Sequence, residues 1–286
     1  MPSLIDIRRR IRSVKNTQQI TKAMKMVSAA KLRRAQDRTL ASRPYAGMLC
    51  KVLSNVAAAA AGDERVAENP LLARREERRV LLVLITGDKG LAGAFNTILI
   101  ESAQRFVQER SGAQVSFELI GRKGRDFFRK RQVTITGDHV GLAVKVKYEE
   151  VAAIAQKAMD LFSSQEIDAV YLLYNEFKSV SSQAVTVSQV LPVVMPEESS
   201  SVDYIYEEPP AEMVEDLLPR YVEMEFYRAM LESAAAEHAA RMTAMDAATS
   251  NAAEMIEKLT LYMNRVRQAS ITKEIIEVVS GAAAAE

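Results

Sequence analysis

Glycine and proline are missing from residues 3 to 43 and from residues 220 to 280, and of the eleven glycines only Gly281 lies outside the stretch between them. These are the two residue types that interrupt helices, glycine through backbone entropy and proline through its missing N–H. Their absence predicts a very long helix at each end of the chain. At about 1.5 Å per residue the first would reach roughly 60 Å and the second roughly 90 Å, too long to be buried whole in a small domain. The expected fold class is therefore α/β with a long antiparallel coiled coil. The N- and C-terminal helices pair as a shaft, and a central Rossmann-like parallel-sheet domain is inserted between them.

Cysteine and histidine are nearly absent. The single cysteine, Cys50, excludes an internal disulfide and fits a reducing compartment, as a small helix residue. Only His139 and His238 accompany it, far apart in sequence, so no zinc-ligand spacing and no Cys/His or Ser/His pair can be composed. No catalytic residue, metal or cofactor is expected. Long apolar runs are lacking too: Val56 to Ala61 and Val80 to Ile85 fall far short of the roughly 18 residues that span a bilayer. Association with a membrane would have to pass through a partner.

Acidic residues are scarce at the start. Residues 1 to 43 hold twelve Lys or Arg against Asp6 and Asp37, a charge of +10, so a net charge of +1 leaves about −9 for the remainder. The arginine-rich opening superficially suits a transit peptide. The same pattern continues to Arg43, however, further than a cleavable presequence needs. Residues 195 to 225 are the converse, with ten acids against the single base Arg220 around Pro196, Pro209 and Pro210, and read as a solvated linker. The domains expected are residues 1–62, the N-terminal coiled-coil helix; 78–195, the central α/β domain; 196–219, the acidic linker; and 220–286, the C-terminal coiled-coil helix.

Periodicity supports that division. Leu4, Ile7, Ile11 and Val14 recur at spacings of three and four, and Ile20, Met24 and Val27 continue on a displaced stripe, as though the seam shifts within KNTQQ. Near the other end Met242, Met245, Thr249, Ala252, Ile256, Leu259, Met263 and Val266 form an a/d series. Ten alanines in residues 234 to 253 keep that helix slim. Between the helices the runs Val80–Ile85, Val115–Ile120 and Ala169–Tyr174 read as buried strands. They alternate with helical stretches 94–109, 122–130 and 148–163, and a last strand falls in 184–194.

The loop GDKGLAGAFN, residues 87 to 96, is the one segment that invites a nucleotide, because amides at a glycine-rich turn before a helix can hold an anion. Its spacing fails both common fingerprints: Lys89 stands where a dinucleotide loop needs its second glycine, and no Gly-Lys-Ser/Thr follows. A tight strand-to-helix turn is the simpler reading. The basic first helix suits phosphate contacts, yet it lacks interleaved aromatics and any base-reading module. A basic coiled-coil adaptor binding an acidic partner or nucleic acid is the alternative to a mechanical shaft.

Residues 7–36, IRRRIRSVKNTQQITKAMKMVSAAKLRRAQ, and 271–284, ITKEIIEVVSGAAA, resemble the two ends of the gamma subunit of F-type ATP synthases. GDKGLAGAFN, IGRKG at residues 120–124 and RMTAMDAATSNA at 241–252 resemble further blocks of that family in the same order, so the likeness covers essentially the whole chain. Lys89 and Ala92 depart from the more common Arg and Cys, and the chloroplast form's cysteine-bearing insertion is missing, which implies a bacterial-type subunit without redox control.

The resemblance implies a non-catalytic, single-copy rotor that couples proton flow to ATP synthesis. Its partners would be the hexamer of alpha and beta subunits, the epsilon subunit and the ring of c subunits, with no nucleic acid. It would be held peripherally at the cytoplasmic side of the bacterial inner membrane. By the same likeness Lys22, Met24 and Lys25 would lie opposite an acidic segment of the beta subunit, and Arg241, Gln268 and Thr272 would face loops of the surrounding subunits. Ile275, Ile276, Val278 and Val279 would form an apolar tip in a bearing-like collar. The alternative for these last four is that they close the coiled coil against the N-terminal helix.

Overall fold

The computed structural model describes residues 3–60, 62–144, 146–194, 206 and 208–283. The chain divides into two compact units, Met1–Ser28 with Met242–Glu286, and Ala29–Arg241. Helix α1, Leu4–Ala59, and helix α6, Pro210–Ala283, each supply residues to both.

The first unit is a two-helix coiled coil. Along α6 the eight residues of the a/d series are buried or half-buried, with Met245 and Ala252 the best covered. Along α1 Leu4, Ile7, Ile11, Val14, Gln18, Thr21, Lys25 and Ser28 are covered in a 3-4 alternation, with Met24 half-buried beside Lys25. The displaced stripe read from the sequence is thus corrected: Ile20 and Val27 are 60% and 56% exposed. The seam holds its phase through KNTQQ, and just beyond it polar side chains fill the seam and satisfy one another. The Thr21 and Thr249 hydroxyls are 2.8 Å apart, and Lys25 Nζ donates to Asp246 Oδ1 at 2.5 Å. A satisfied polar layer sets register where an apolar one would allow sliding. Moving four residues forward on α1 moves three backward on α6, so the helices are antiparallel. Continued outward, that register brings Leu4 opposite Val266.

The second unit is built on a five-stranded sheet of order β3-β2-β1-β4-β5. Its strands are β1, Arg79–Ile85; β2, Gln114–Ile120; β3, Thr134–His139; β4, Ala169–Phe177; and β5, Gln183–Leu191. The first four are parallel and β5 runs antiparallel to β4, so the sheet is mostly parallel, as the alternation of strands and helices implied, with one antiparallel edge strand. The helices are α2, Glu64–Ala67; α3, Phe95–Glu109; α4, Arg122–Phe128; and α5, Tyr148–Ser163. Strand β1 is central and covered on both faces. Leu81, Val83 and Ile85 face a core shared with Leu53, Phe162, Val222 and Phe226, while Val80, Leu82 and Leu84 face another with Leu99, Phe106, Phe117 and Phe128. Double-sided burial is why its sequence is an unbroken apolar run. Strand β3 escaped sequence reading because it is a half-exposed edge carrying Thr134, Thr136 and Asp138 in place of apolar residues.

The expected acidic linker is shorter than its composition suggests. Residues 195–205 and 207 lie outside the described residues, and from Pro210 onward the chain is already helix α6. Proline at a first helical position sacrifices no hydrogen bond. Ala211, Val214, Leu218, Val222 and Phe226, all essentially buried, form a helical stripe that acidic neighbours disguised.

Candidate partner-contact site

Ligands of open α/β sheets sit beyond the carboxyl ends of the strands, where strand order reverses. In this sheet the reversal falls between β1 and β4, beside the loop GDKGLAGAFN. The polar side chains of Asp88 and Asn96 in the loop are engaged within the chain. Asp88, 8% exposed, accepts from the backbone N–H groups of Arg122 and Gly141, both at 3.0 Å. Asn96 accepts from Gly87 N at 2.9 Å. The Glu237 carboxylate of α6 packs where a Gly87 side chain would stand, 2.9 Å from that point. Arg241, one turn further on, pairs with Glu237 and donates to the Gly90 carbonyl oxygen at 3.3 Å. A protein carboxylate thus stands against Gly87 with its own counter-ion beside it, and its negative charge disfavours a phosphate there. This arrangement fits a structural strand-to-helix turn at residues 87–96 in place of a nucleotide cradle. Spacing held a signal for this plug, since Glu237 and Arg241 are an i, i+4 pair on one helical face.

Arg241 therefore differs from its expected outward role. Its side chain is 11% exposed and is engaged within the chain by Glu237 and the Gly90 carbonyl oxygen. His238, half-buried beside it, has its pKa pushed down to about 4, first by burial and then by the charges of Arg241 and Lys31. Because that value lies below the ordinary 6.5, the unfolded chain takes up the proton first. The neutral ring's contribution is intact above pH 6.5 and lost as pH falls toward 4. Stability is expected to fall by roughly 1–3 kcal/mol across that window on this account alone. Denaturant titrations of the chain and of His238→Gln at pH 7 and pH 4.5 check it: the variant should show a smaller decline.

A second buried carboxylate was missed altogether. Glu118 on β2, 1% exposed, accepts from His139 Nε2 at 2.7 Å and from Lys157 Nζ at 2.9 Å. Burial pushes its carboxyl up, but the His139 and Lys157 hydrogen bonds outweigh burial and hold it below the usual range. Gly137 leaves the room this requires, since a Cβ there would stand 2.3 Å from Glu118 Oε1. The cluster ties β2, β3 and α5 together. Among the described residues no His, Cys, Asp and Glu group is arranged to hold a metal ion.

The remaining expected contact residues lie in the coiled coil. Lys22 is exposed, Met24 half-buried, and Lys25 is the seam residue paired with Asp246. Gln268 and Thr272 are exposed one turn apart, the Thr272 hydroxyl donating to the Gln268 carbonyl at 2.9 Å. Ile275, Ile276, Val278 and Val279 are 56%, 58%, 72% and 61% exposed. With α1 beginning opposite Val266, they have no α1 residue across from them.

The sequence profile of the family described as ATP synthase matches residues 3–285. The ATP synthase gamma chain of Solibacter usitatus is 79% identical over 286 residues, all of this chain and all of that one. That of Anaeromyxobacter sp. strain Fw109-5 is 53% identical, covering 99% of each. Among solved structures, the central stalk and c-ring of the Tetrahymena thermophila mitochondrial ATP synthase holds a chain 29% identical, with a TM-score of 0.61 over 80% of this chain and 99% of that one. The rotor of the Euglena gracilis mitochondrial ATP synthase holds one at 19% identity and TM-score 0.65, covering 94% and 98%, a likeness of fold.

Proposed function

Because this chain belongs to the family of ATP synthase gamma chains, we propose that it acts as the central-stalk rotor of a bacterial proton-driven enzyme without an active site of its own. The observation that carries the reading is the antiparallel coiled coil whose α6 runs on past the start of α1 to an exposed apolar end. A globular enzyme would bury Ile275, Ile276, Val278 and Val279. A shaft needs such a surface only where a surrounding bearing covers it. The plugged crevice at residues 87–96 agrees with a non-catalytic role.

In the proposed complex one copy stands within the ring of alternating alpha and beta subunits and meets the epsilon subunit and the c-ring. Two unlike helices inside a pseudo-threefold ring cannot touch three catalytic subunits alike. Each rotation step therefore changes which of them is favoured to hold nucleotide, a population shift driven by contacts that differ between states. Lys22, Met24 and Lys25 face the beta subunit, Gln268 and Thr272 face the surrounding loops, and Arg241 acts from within by fixing α6 to the β1–α3 loop. No described helix is long and apolar enough to cross a membrane. Attachment to the cytoplasmic face of the inner membrane accordingly runs through the complex. Family membership also displaces the nucleic-acid adaptor reading.

Affinity purification of the tagged chain from native membranes tests the assembly. Recovery of alpha, beta, epsilon and c subunits is expected, and recovery of the chain alone would refute it. Met24→Lys tests the mechanism by placing a further charge at a half-buried site on the basic helix. ATP-driven proton pumping in membrane vesicles should drop more than ATP hydrolysis does, and equal loss of both would count against the contact.

A further inference from the structure

Two enclosed polar atoms of opposite character lie one helical turn apart on α6 and lack hydrogen-bond partners among the described residues: Arg228 Nε, a donor, and Glu232 Oε2, an acceptor. Glu232 is 8% exposed, so its carboxyl group is cut off from bulk water. Arg228 reaches the other way, its Nη2 donating to Glu225 Oε2 at 2.6 Å. Unpaired buried groups are rare in native interiors, because each has given up its hydrogen bonds to water. Residues three and four apart share a helix face, so Glu225 and Glu232 bracket one guanidinium along α6. As it stands, that guanidinium serves Glu225 and leaves Glu232 without a donor.

Other charges and phenols face the same space. Arg43 and Cys50 of α1, Tyr174 and Glu176 of β4 and Tyr221 of α6 lie within electrostatic reach of Glu225, Arg228 or Glu232. Glu176 is taken by Lys178. Burial pushes the Tyr174 and Tyr221 phenols up to about 12, so neither is charged at neutral pH. Burial also pushes the Glu232 carboxyl up, and Arg228 offsets that only in part. While Glu232 is neutral, Arg228 is best placed on Glu225, as in this structure. Ionisation reverses the balance. A buried carboxylate without a donor is then the costliest group of the cluster, whereas the Glu225 side chain, 19% exposed, keeps some contact with water.

From this geometry we infer that Arg228 is a two-position latch, held by Glu225 while Glu232 is protonated and drawn along α6 onto Glu232 when that carboxyl loses its proton. In the second position Arg228 Nε and Glu232 Oε2 satisfy each other. One proton released by Glu232 thus moves a positive charge from the Cys50 end of the contact between α1 and α6 toward its Arg43 end. The device lies wholly within the sheet unit and is independent of the rotor reading.

Cys50, the single cysteine, reports the position of the latch. Burial and then Glu225 push its thiol up, and Arg228 pulls it down. Departure of Arg228 from Glu225 therefore leaves the thiol less ionised and slower to alkylate. Iodoacetamide alkylation of the full-length chain at pH 8, followed by mass spectrometry, compares the natural chain with Glu232→Gln, Arg228→Gln and the double variant, circular dichroism verifying each fold. In Glu232→Gln the guanidinium returns to Glu225, and alkylation should run about threefold faster, as for a thiol pKa lower by about half a unit. In the Arg228→Gln background the same Glu232→Gln change should have no effect, which separates the latch from any direct influence of Glu232 on the thiol. An equal effect in both backgrounds, or none in the natural one, would overturn the latch. A crystal structure of the natural chain at pH 8 gives a readout that needs no variant. Arg228 paired with Glu232 is expected there, and Arg228 still on Glu225 with Glu232 unpaired would overturn the inference as well.

Discussion

Ala252→Pro is expected to uncouple the distal half of the coiled coil and to prevent recovery of the assembled complex. Ala252 is 7% exposed, lies in the seam, and is followed by 31 further described helical residues to Ala283. Proline there removes one helical hydrogen bond and drives its ring into the carbonyl four residues back, at about 3 kcal/mol or more. The geometric effect exceeds the local one. A kink at this point swings every later residue of α6 away from Gln18, Val14, Ile11, Ile7 and Leu4, the seam positions that cover it. Pro44 and Pro219 already lie within α1 and α6 without ending them, so the prediction rests on context. Both belong to the unit built on the sheet, and Pro219 adjoins the fully buried Leu218 and Val222. Among the described residues the support near Ala252 comes from α1 alone. Hydrogen exchange of the amides at Ile256, Leu259 and Met263 should accelerate in the variant, while those of β1 stay protected. Unchanged exchange at both, with a normal complex, would contradict the continuous-helix seam.

Gly121→Ala is expected to destabilise the sheet unit by more than about 4 kcal/mol, at the severe end for a single substitution. Gly121 has φ +96° and ψ 145°, a region that essentially only glycine adopts. A Cβ at this point would fall 2.0 Å from the Thr86 carbonyl oxygen and 2.6 Å from its carbon. The obstacle is backbone, with no flexible side chain to move aside. Thr86 N in turn donates to the Ile120 carbonyl at 2.8 Å, Gly124 N donates to Thr86 Oγ1 at 2.9 Å, and Gly121 N donates to the His139 carbonyl at 2.8 Å. Relieving the clash therefore means parting β1, β2 and β3 where their carboxyl ends meet. Gly112→Ala is the control. Nothing stands within 4 Å of its added carbon and no left-handed φ is required, so its effect should stay within about 0.5 kcal/mol. Urea unfolding of both variants, read by circular dichroism, separates the two expectations. Similar midpoints would refute the steric account.

Several features of this molecule were legible because they repeat locally. The a/d series from Met242 to Val266, the unbroken run Val80–Ile85 and the glycine-rich turn after it each carry their pattern within a few consecutive residues. Where local pattern misled, it did so for identifiable reasons. Ile20 and Val27 are apolar at helical spacing, yet the seam takes Thr21 and Lys25, since Thr249 and Asp246 on the opposite helix complete their hydrogen bonds. Residues 210–219 are acidic on average, and their apolar stripe of Ala211, Val214 and Leu218 showed only once spacing was separated from composition. Strand β3 lacks an apolar face because it is an edge.

The sequence by itself determined that two uninterrupted helices flank an alternating α/β segment, and its blocks of likeness determined the family. Helix continuity and strand burial follow from residues near one another in the chain. Only the tertiary structure decided that Glu237 and Arg241 fill the crevice beside Gly87 and Gly90, and that Glu118 is clamped by His139 and Lys157. It alone decided that Glu232 of α6 lies near Arg33 and Arg43 of α1, almost two hundred positions earlier. Such contacts join segments far apart in sequence, and whether a charged side chain is paired, plugged or left waiting depends on what the fold carries to it.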